Sequence, residues 1–291
     1  MAEVITSPSN PKIKRLLALQ QKSSERRESG LFVVEGQREL QHCIDAGFEV
    51  DTLFVCPSLR VSQPPETSFG PHRCASLAVP PLTMPRVARF PGAAAASTSG
   101  QTKVFEVSKE VYAKVSYREG TEGVIAEVRA KERRLEELEL PERPLVVVLE
   151  RVEKPGNLGA VLRSADAAGA DAVLVCDPLT DLWNPNLIRA SIGAVFTVPC
   201  VACSSAEAIA FLKARGIRIL TAQLQDSSLY YDCDMTVGTA LVMGTEATGL
   251  TDAWREAADA HIRIPMLGAL DSLNVSVSAA ILLFEAVRQR Q

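Results

Sequence analysis

Residues 145 to 177 read LVVVLERVEKPGNLGAVLRSADAAGADAVLVCD. A short run rich in β-branched residues, LVVVLE, is followed by a glycine-containing turn, the helical segment GNLGAVLRSADAAG and a second apolar run, AVLVCD. Short apolar runs separated by helices imply parallel strands joined by crossovers and covered on both faces. The same grammar continues: a helical NPNLIRASIGAVF, the short strand TVPCV, the helix SSAEAIAFLKARG, strands IRILTAQ and TALVMG, the helix LTDAWREAAD, the strand HIRIPM and a last helix. Ser204 with Glu207 three residues on is a capping box. Ligands of such sheets bind at the carboxyl ends of the strands, which points to the loops after LVVVLE, IRILTAQ, TALVMG and HIRIPM.

The last element opens within SLNVSVSAAILLF, residues 272 to 284. Its alternation for seven residues reads as a strand, whereas the spacing of Val277, Ala280, Ile281, Phe284 and Val287 reads as a helix. On either reading Ser272 and Asn274 stand where a core element begins. An ordinary helix cap explains them, and so does the floor of a pocket.

Upstream lies a second α/β unit: a helix over about residues 9 to 28, strand LFVVEG, helix QRELQHCIDAGF and strand VDTLFVC. Residues 57 to 102 hold eight prolines and one acid, Glu66, and predict a long irregular insertion or loop. VFEVSKEVYAKVS is read as a helix and TEGVIAEVRA as a strand that completes the first sheet, before the charged connector KERRLEELELPERP. The expected division is a first domain over 1–130, a linker over 131–144 and a second domain over 145–291.

A chain of 291 residues, 47% hydrophobic and 23% charged, fits two globular domains. It has no apolar run of about 18 residues and no signal-peptide core, so a cytoplasmic protein with no membrane partner is expected. Seven cysteines in apolar segments suit reduced, buried thiols, and Cys200-x-x-Cys203 lacks the second pair that a zinc site needs. The net charge of −4 argues against a nonspecific polyanion binder, yet Lys12, Lys14, Arg15, Lys22, Arg26 and Arg27 face only Glu25 between residues 11 and 27. That run is either a solvated helix face or a phosphate-tracking surface.

Three loops are rich in glycine and small polar residues: 153–170, 243–250 and 264–274. The first lies in the outline of a dinucleotide-binding unit ending in Asp177, but it lacks the G-x-G-x-x-G run. His42, His72 and His261 are too scattered for a histidine-based nucleophile or metal site, and neither G-x-S-x-G nor a phosphate loop occurs. The chemistry expected here uses no metal and no phosphate-loop nucleotide.

Asn157-x-Gly159-x-x-x-Arg163, Gly244-x-Glu246-x-x-Gly249-Leu250, and Ile264-Pro265-Met266-x-Gly268 followed by Ser272-Leu273-Asn274-Val275-Ser276 resemble, in order and spacing, the three motifs of the SpoU (TrmH-like) RNA ribose 2′-O-methyltransferases of the SPOUT superfamily. The likeness covers about residues 145 to 291, and ITSPSNPKIKRL with FVVEGQRE is similar to the small ribosomal-protein-like substrate-binding domain that precedes it in many members. The stretch from 57 to 102 departs from that pattern. The resemblance implies an α/β fold whose parallel sheet carries a deep trefoil knot, against the usual rule for chains, and a homodimer. It implies S-adenosylmethionine held by backbone at Gly244, Ile264 and Leu273, with Gly249 and Pro265 in the same loops. Arg163, Asn157, Glu246, Ser272 and Asn274 become the candidate catalytic residues, and Lys14, Arg15 and Arg38 the candidate RNA contacts.

The implied reaction is methyl transfer to a ribose hydroxyl of ribosomal RNA, with transfer RNA, a non-catalytic RNA-binding protein and a nicotinamide-dependent oxidoreductase as alternatives. An in-line displacement at a sulfonium already has a good leaving group, so positioning and activating the 2′-oxygen dominate. Arg163 has two readings, a base with a perturbed pKa or a clamp on the neighbouring phosphate, because guanidinium is a poor base. Glu246 would orient Arg163 or a loop amide, and Ser272 and Asn274 would bond the arginine, the ribose or the cofactor.

Overall fold

The structure, a computed structural model, describes residues 3–59, 102–117, 122–245 and 248–291. The first sheet contains β1 (Glu3–Ile5), β2 (Leu31–Glu35), β3 (Val50–Val55), β4 (Lys103–Val107) and β5 (Val124–Arg129), in the order β1-β4-β3-β5-β2. Its helices are α1 (Pro11–Gln21), α2 (Ser23–Ser29), α3 (Gln37–Asp45) and α4 (Lys109–Val115). Pairing is parallel among β1, β4 and β3 and antiparallel through β5 to β2.

Two expectations change here. The single helix over 9–28 is two helices, because Lys22 takes an extended conformation (φ −114°, ψ 119°) between them. VFEV is not helical: it forms most of β4, where Phe105 and Glu106 register against Phe54 and Val55, and the helix starts only after Ser108 accepts a hydrogen bond from the Val111 amide. Three β-branched or aromatic residues, Val104, Phe105 and Val107, with β1 and β3 to pair on either side, outweigh the helical spacing that continues beyond them. The insertion read over 57–102 lies, apart from its first three residues and its last, outside the described residues.

The second sheet is wholly parallel. Its strands β6 (Leu145–Glu150), β7 (Ala172–Cys176), β8 (Cys200–Cys203), β9 (Arg218–Ala222), β10 (Ser228–Leu229), β11 (Thr239–Met243) and β12 (Ala260–Arg263) lie in the order β10-β12-β9-β11-β6-β7-β8. Helices α5 (Pro155–Ala167), α6 (Pro185–Ala190), α7 (Ala194–Thr197), α8 (Ser205–Ala214), α9 (Asp252–Ala257) and α10 (Val275–Gln289) complete it. The segment NPNLIRASIGAVF is two short helices, since Ile192 (φ 55°) and Gly193 (φ 83°) break the turn between them. The ambiguous SLNVSVSAAILLF is helical from Val275, capped by the Asn274 side chain on the Ser276 amide.

The buried faces explain the layering. Val146 and Val148 point to one side of the second sheet with Trp254, Leu212 and Phe211. Leu145, Val147 and Leu149 point to the other, and there the core continues without interruption into Phe32, Val34, Phe48, Ala126 and Val128 of the first domain. Phe32 stacks on Trp183 at 4.7 Å, and Phe48 meets Phe196 edge-on at 5.4 Å. Arg26, 5% exposed, adds a bond across the same boundary, from its Nη2 to Asp181 at 2.6 Å. Even the connector is packed, with Leu135 and Leu138 buried under the second sheet.

Candidate functional site

The second sheet begins at its centre with β6, grows outward through β7 and β8, and then crosses to the other side, where β11 finally inserts beside β6. The direction of winding therefore reverses between β6 and β11, and the loops leaving those two strands part to form a crevice. Val152, Glu153, Lys154 and Asn157 after β6, Gly244 and Thr245 after β11, and Val275 of α10 line it. This cleft is about 140 Å³, whereas two wider grooves of about 750 and 1240 Å³ lie between the domains. Topology favours the small one as the chemical centre, because it alone joins all the converging motif loops.

Each wall has a local cause. Pro155 at the first helical position starts α5 where its missing N–H costs nothing, placing Asn157 in the first turn. Gly159 lets α5 lie against α6: a Cβ there would come within 2.6 Å of the Ala190 Cβ and 2.8 Å of the Ser191 amide nitrogen. After β11, Thr245 and Gly249 bond each other's backbone at 3.2 and 3.1 Å, closing the turn. Gly244 lies beneath that turn, where a side chain would overlap the Gly249 carbonyl and sit 2.6 Å from the Leu250 nitrogen.

Asn274 caps α10 and also bonds the first motif loop. Its Oδ1 caps α10 by accepting from the Ser276 amide at 3.0 Å, while its Nδ2 donates to Asn157 Oδ1 at 3.2 Å. The N-termini of α5 and α10 thus meet at the cleft and together present partial positive charge.

The other predicted residues are arranged as follows. Arg163 is on α5, exposed, six residues beyond Asn157 and hence about 9 Å along the axis; among the described residues it has no hydrogen-bond or ion-pair partner. Ser272 is exposed and donates to Asp271 at 3.2 Å, and Leu273 is 37% exposed. Ile264 and Pro265 are half-buried, Ile264 against the main core. Gly249 takes φ 69° in the turn over Gly244. Glu246 lies outside the described residues. On the first domain, Arg15 is bound to the buried Glu127, Arg38 pairs with Glu39 at 3.2 Å, and Lys14 is exposed.

Cys203 faces Cys176 at 3.9 Å rather than Cys200. Burial pushes the Cys200 thiol up to about 12, and the hydrogen bond to Cys203 followed by burial raises Cys176, so both stay protonated and unreactive at neutral pH.

Sequence reasoning missed a buried network around Glu150, the last residue of β6 and 1% exposed. It accepts from the Thr251 amide at 2.9 Å and the Thr251 hydroxyl at 2.6 Å. The signal was present as an acid ending an apolar strand, but its partner is 101 residues away.

A parallel sheet with a crevice over its reversal point is the architecture of a ligand-binding α/β domain. Residues 144–284 match the SpoU rRNA Methylase family, and residues 10–126 match the MRM3-like substrate binding domain. The 23S rRNA (guanosine-2′-O-)-methyltransferase RlmB of Pseudomonas putida is 38% identical over 179 residues, 58% of this chain and 71% of that protein. Among solved structures, an RNA 2′-O ribose methyltransferase is 37% identical with a TM-score of 0.75 over 99% of both chains. An AdoMet-bound rRNA methyltransferase from Sinorhizobium meliloti is 28% identical with a TM-score of 0.80, covering 99% of this chain and 98% of its own. The chain belongs to the SpoU family of RNA methyltransferases.

Proposed function

We propose that this protein methylates a ribose 2′-hydroxyl of ribosomal RNA with S-adenosylmethionine as donor. The observation that carries the reading is the Asn157–Asn274 bond, which joins the first and third motif loops across a cleft whose opposite wall is Gly244 of the second. The residues present fit such a donor. Gly244, whose missing side chain lets the Gly249 backbone pack over it, lines the cleft, and in this reading Gly249, Ile264, Pro265 and Leu273 supply backbone groups to the donor. The cleft alone is smaller than a molecule made of a nucleoside and an amino acid, so the reading requires the 264–274 loop to close over the donor. When bound, S-adenosylmethionine supplies an electrophilic methyl on a sulfonium.

The chain's own groups then have separate tasks. Asn157 and Asn274 hold each other and offer amide groups to the ribose. The meeting N-termini of α5 and α10 favour the negative charge that grows on the attacking oxygen. Of the two roles for Arg163, exposure and freedom from partners favour the clamp: its planar fork matches a phosphate adjoining the target ribose. Ser272 and Glu246 remain assigned to orienting these groups.

The division at 131–144 stays part of this reading, with the first domain binding RNA and Lys14 its most available basic contact. A homodimer and a trefoil knot are also part of it. Val277 (47% exposed) and Phe284 (49% exposed) leave apolar side chains exposed on α10, and Leu267 and Leu270 are exposed in the preceding loop, which suits a second copy. The knot is supported by α10 returning from β12 to pack on α5 and against β11, the strand beside β6. The protein needs no metal in this scheme.

The test is transfer of labelled methyl from S-adenosylmethionine to ribosomal RNA, followed by mapping of 2′-O-methylated positions in the product. Label at one ribose is the expected result; label on a base, or on transfer RNA alone, rejects the reading.

A further inference from the structure

We infer that Glu150 is a positioning residue for cofactor binding: a buried carboxylate that fixes the exit of the Gly244–Leu250 loop against the end of β6. The inference rests on the methyltransferase reading above and concerns how its donor loop is held.

β6 and β11 pair in parallel, with Leu149 level with Met243, so Glu150 ends its strand beside the point where the loop departs at Gly244. The loop turns at Thr245 and Gly249 and returns through Leu250 to Thr251. There the carboxylate takes both donors of Thr251, amide and hydroxyl, at 2.9 and 2.6 Å. Thr251 occupies the N-cap of α9 but makes no side-chain cap bond, because its hydroxyl is turned to Glu150 instead. A cap bond stabilises the start of a helix. Giving that up for a bond to a strand end favours a fixed position for the loop over stability of α9.

Glu150 is level with Cys176 of the neighbouring strand β7, which fixes its backbone. Ser205 Oγ lies 3.4 Å from the Glu150 carboxylate but 2.6 Å from Asp177 Oδ2, so its single proton goes to Asp177. The same oxygen accepts from Trp254 Nε1 at 3.0 Å, and Trp254, fully buried on α9, is thereby tied to the start of α8. Arg151 takes φ 52°, a conformation unfavourable for a side-chain-bearing residue, and its amide bonds Cys176 at 2.8 Å. Among the described residues no lysine or arginine forms an ion pair with Glu150. A buried carboxylate satisfied only by neutral donors is costly where an apolar residue would pack. The geometry it secures is that of one loop, the loop that brings Gly244 and Thr245 to the cleft wall.

The experiment uses the full-length protein and three variants, Glu150→Ala, Glu150→Gln and Thr251→Val, with S-adenosylmethionine affinity from calorimetry and steady-state KM and kcat. Glu150→Ala should weaken donor binding about tenfold or more, as loss of hydrogen bonds to a charged group implies. Glu150→Gln keeps an acceptor for the Thr251 amide and an NH2 for its hydroxyl oxygen, so it should recover most of that loss. Thr251→Val removes only the hydroxyl and should fall between them. In all three KM for the donor rises while kcat at saturating donor and RNA affinity stay near wild type. If Glu150→Ala does not fold, the two milder variants decide. Folded Thr251→Val and Glu150→Gln with wild-type donor affinity would overturn the inference, as would a fall in kcat at unchanged KM. A wild-type protein that fails to bind the donor would instead overturn the methyltransferase reading beneath it.

Discussion

Two glutamates are buried in this molecule at the middle and the end of strands, and they are held in opposite ways. Glu127, in β5 of the first domain, is 0% exposed and binds the guanidinium of Arg15 on α1, through Nη2 and through Nε at 3.3 Å. Glu150 in the second domain is met by neutral donors from a loop. The first arrangement pins a helix to a sheet and consumes an arginine whose sequence position suggested RNA. The second pins a loop beside the cleft. A buried acid therefore marks fold or site according to what satisfies it, and the residue alone does not say which.

The comparison breaks most severely if the two glutamates do not belong to one cooperative unit. Phe196 is fully buried and touches both Phe32 and Phe48 across the domain boundary. Phe196→Ala should cost about 3–5 kcal/mol, and calorimetry should still show one transition, since the core passes between the domains. Two separated transitions would make the domains independent. A smaller effect sharpens the contrast between the basic residues. Arg163→Ala should slow single-turnover methyl transfer about a hundredfold, the usual scale for losing one positioned charged donor, with donor affinity unchanged. Arg15→Ala should leave the transfer rate alone and lower stability.

The smallest effect is a pH dependence. Burial raises the Glu127 carboxyl above its ordinary value of 4.5 despite the opposing bond from Arg15, and that same bond raises Arg15. The burial contribution prevails for Glu127 because its side chain is enclosed while Arg15 is 43% exposed and screened by solvent. With its folded pKa raised, the native state holds the proton more tightly than the unfolded chain. Stability from this group is complete below about 4.5 and declines as pH rises through the raised value. Denaturant titrations across that window should therefore show wild type losing stability relative to Glu127→Gln; an opposite slope would mean that Arg15 prevails.

Much of the second domain was legible because its signals are local. LVVVLE, AVLVCD and TALVMG are strands for the reasons their apolar runs suggest, and Ser204 and Glu207 form the capping box, with Glu207 Oε2 accepting from the Ser204 amide at 2.8 Å. The motif residues Asn157, Gly244 and Asn274 also come together as their loops implied. β4 was missed because its place between β1 and β3, not its own spacing, makes it a strand. Arg15 and Lys14 look alike in sequence, and only Glu127, 112 residues from Arg15, separates their roles.

By itself the sequence determined the alternation of strands and helices in the second domain and the loops that carry small polar groups, since these depend on neighbours within a turn or a strand. Tertiary structure alone decided that β11 inserts beside β6, that one hydrophobic core crosses from domain to domain, and that Glu150 meets Thr251. Those outcomes depend on which distant surfaces exclude water together and which buried donors a carboxylate finds there, and no local period encodes either.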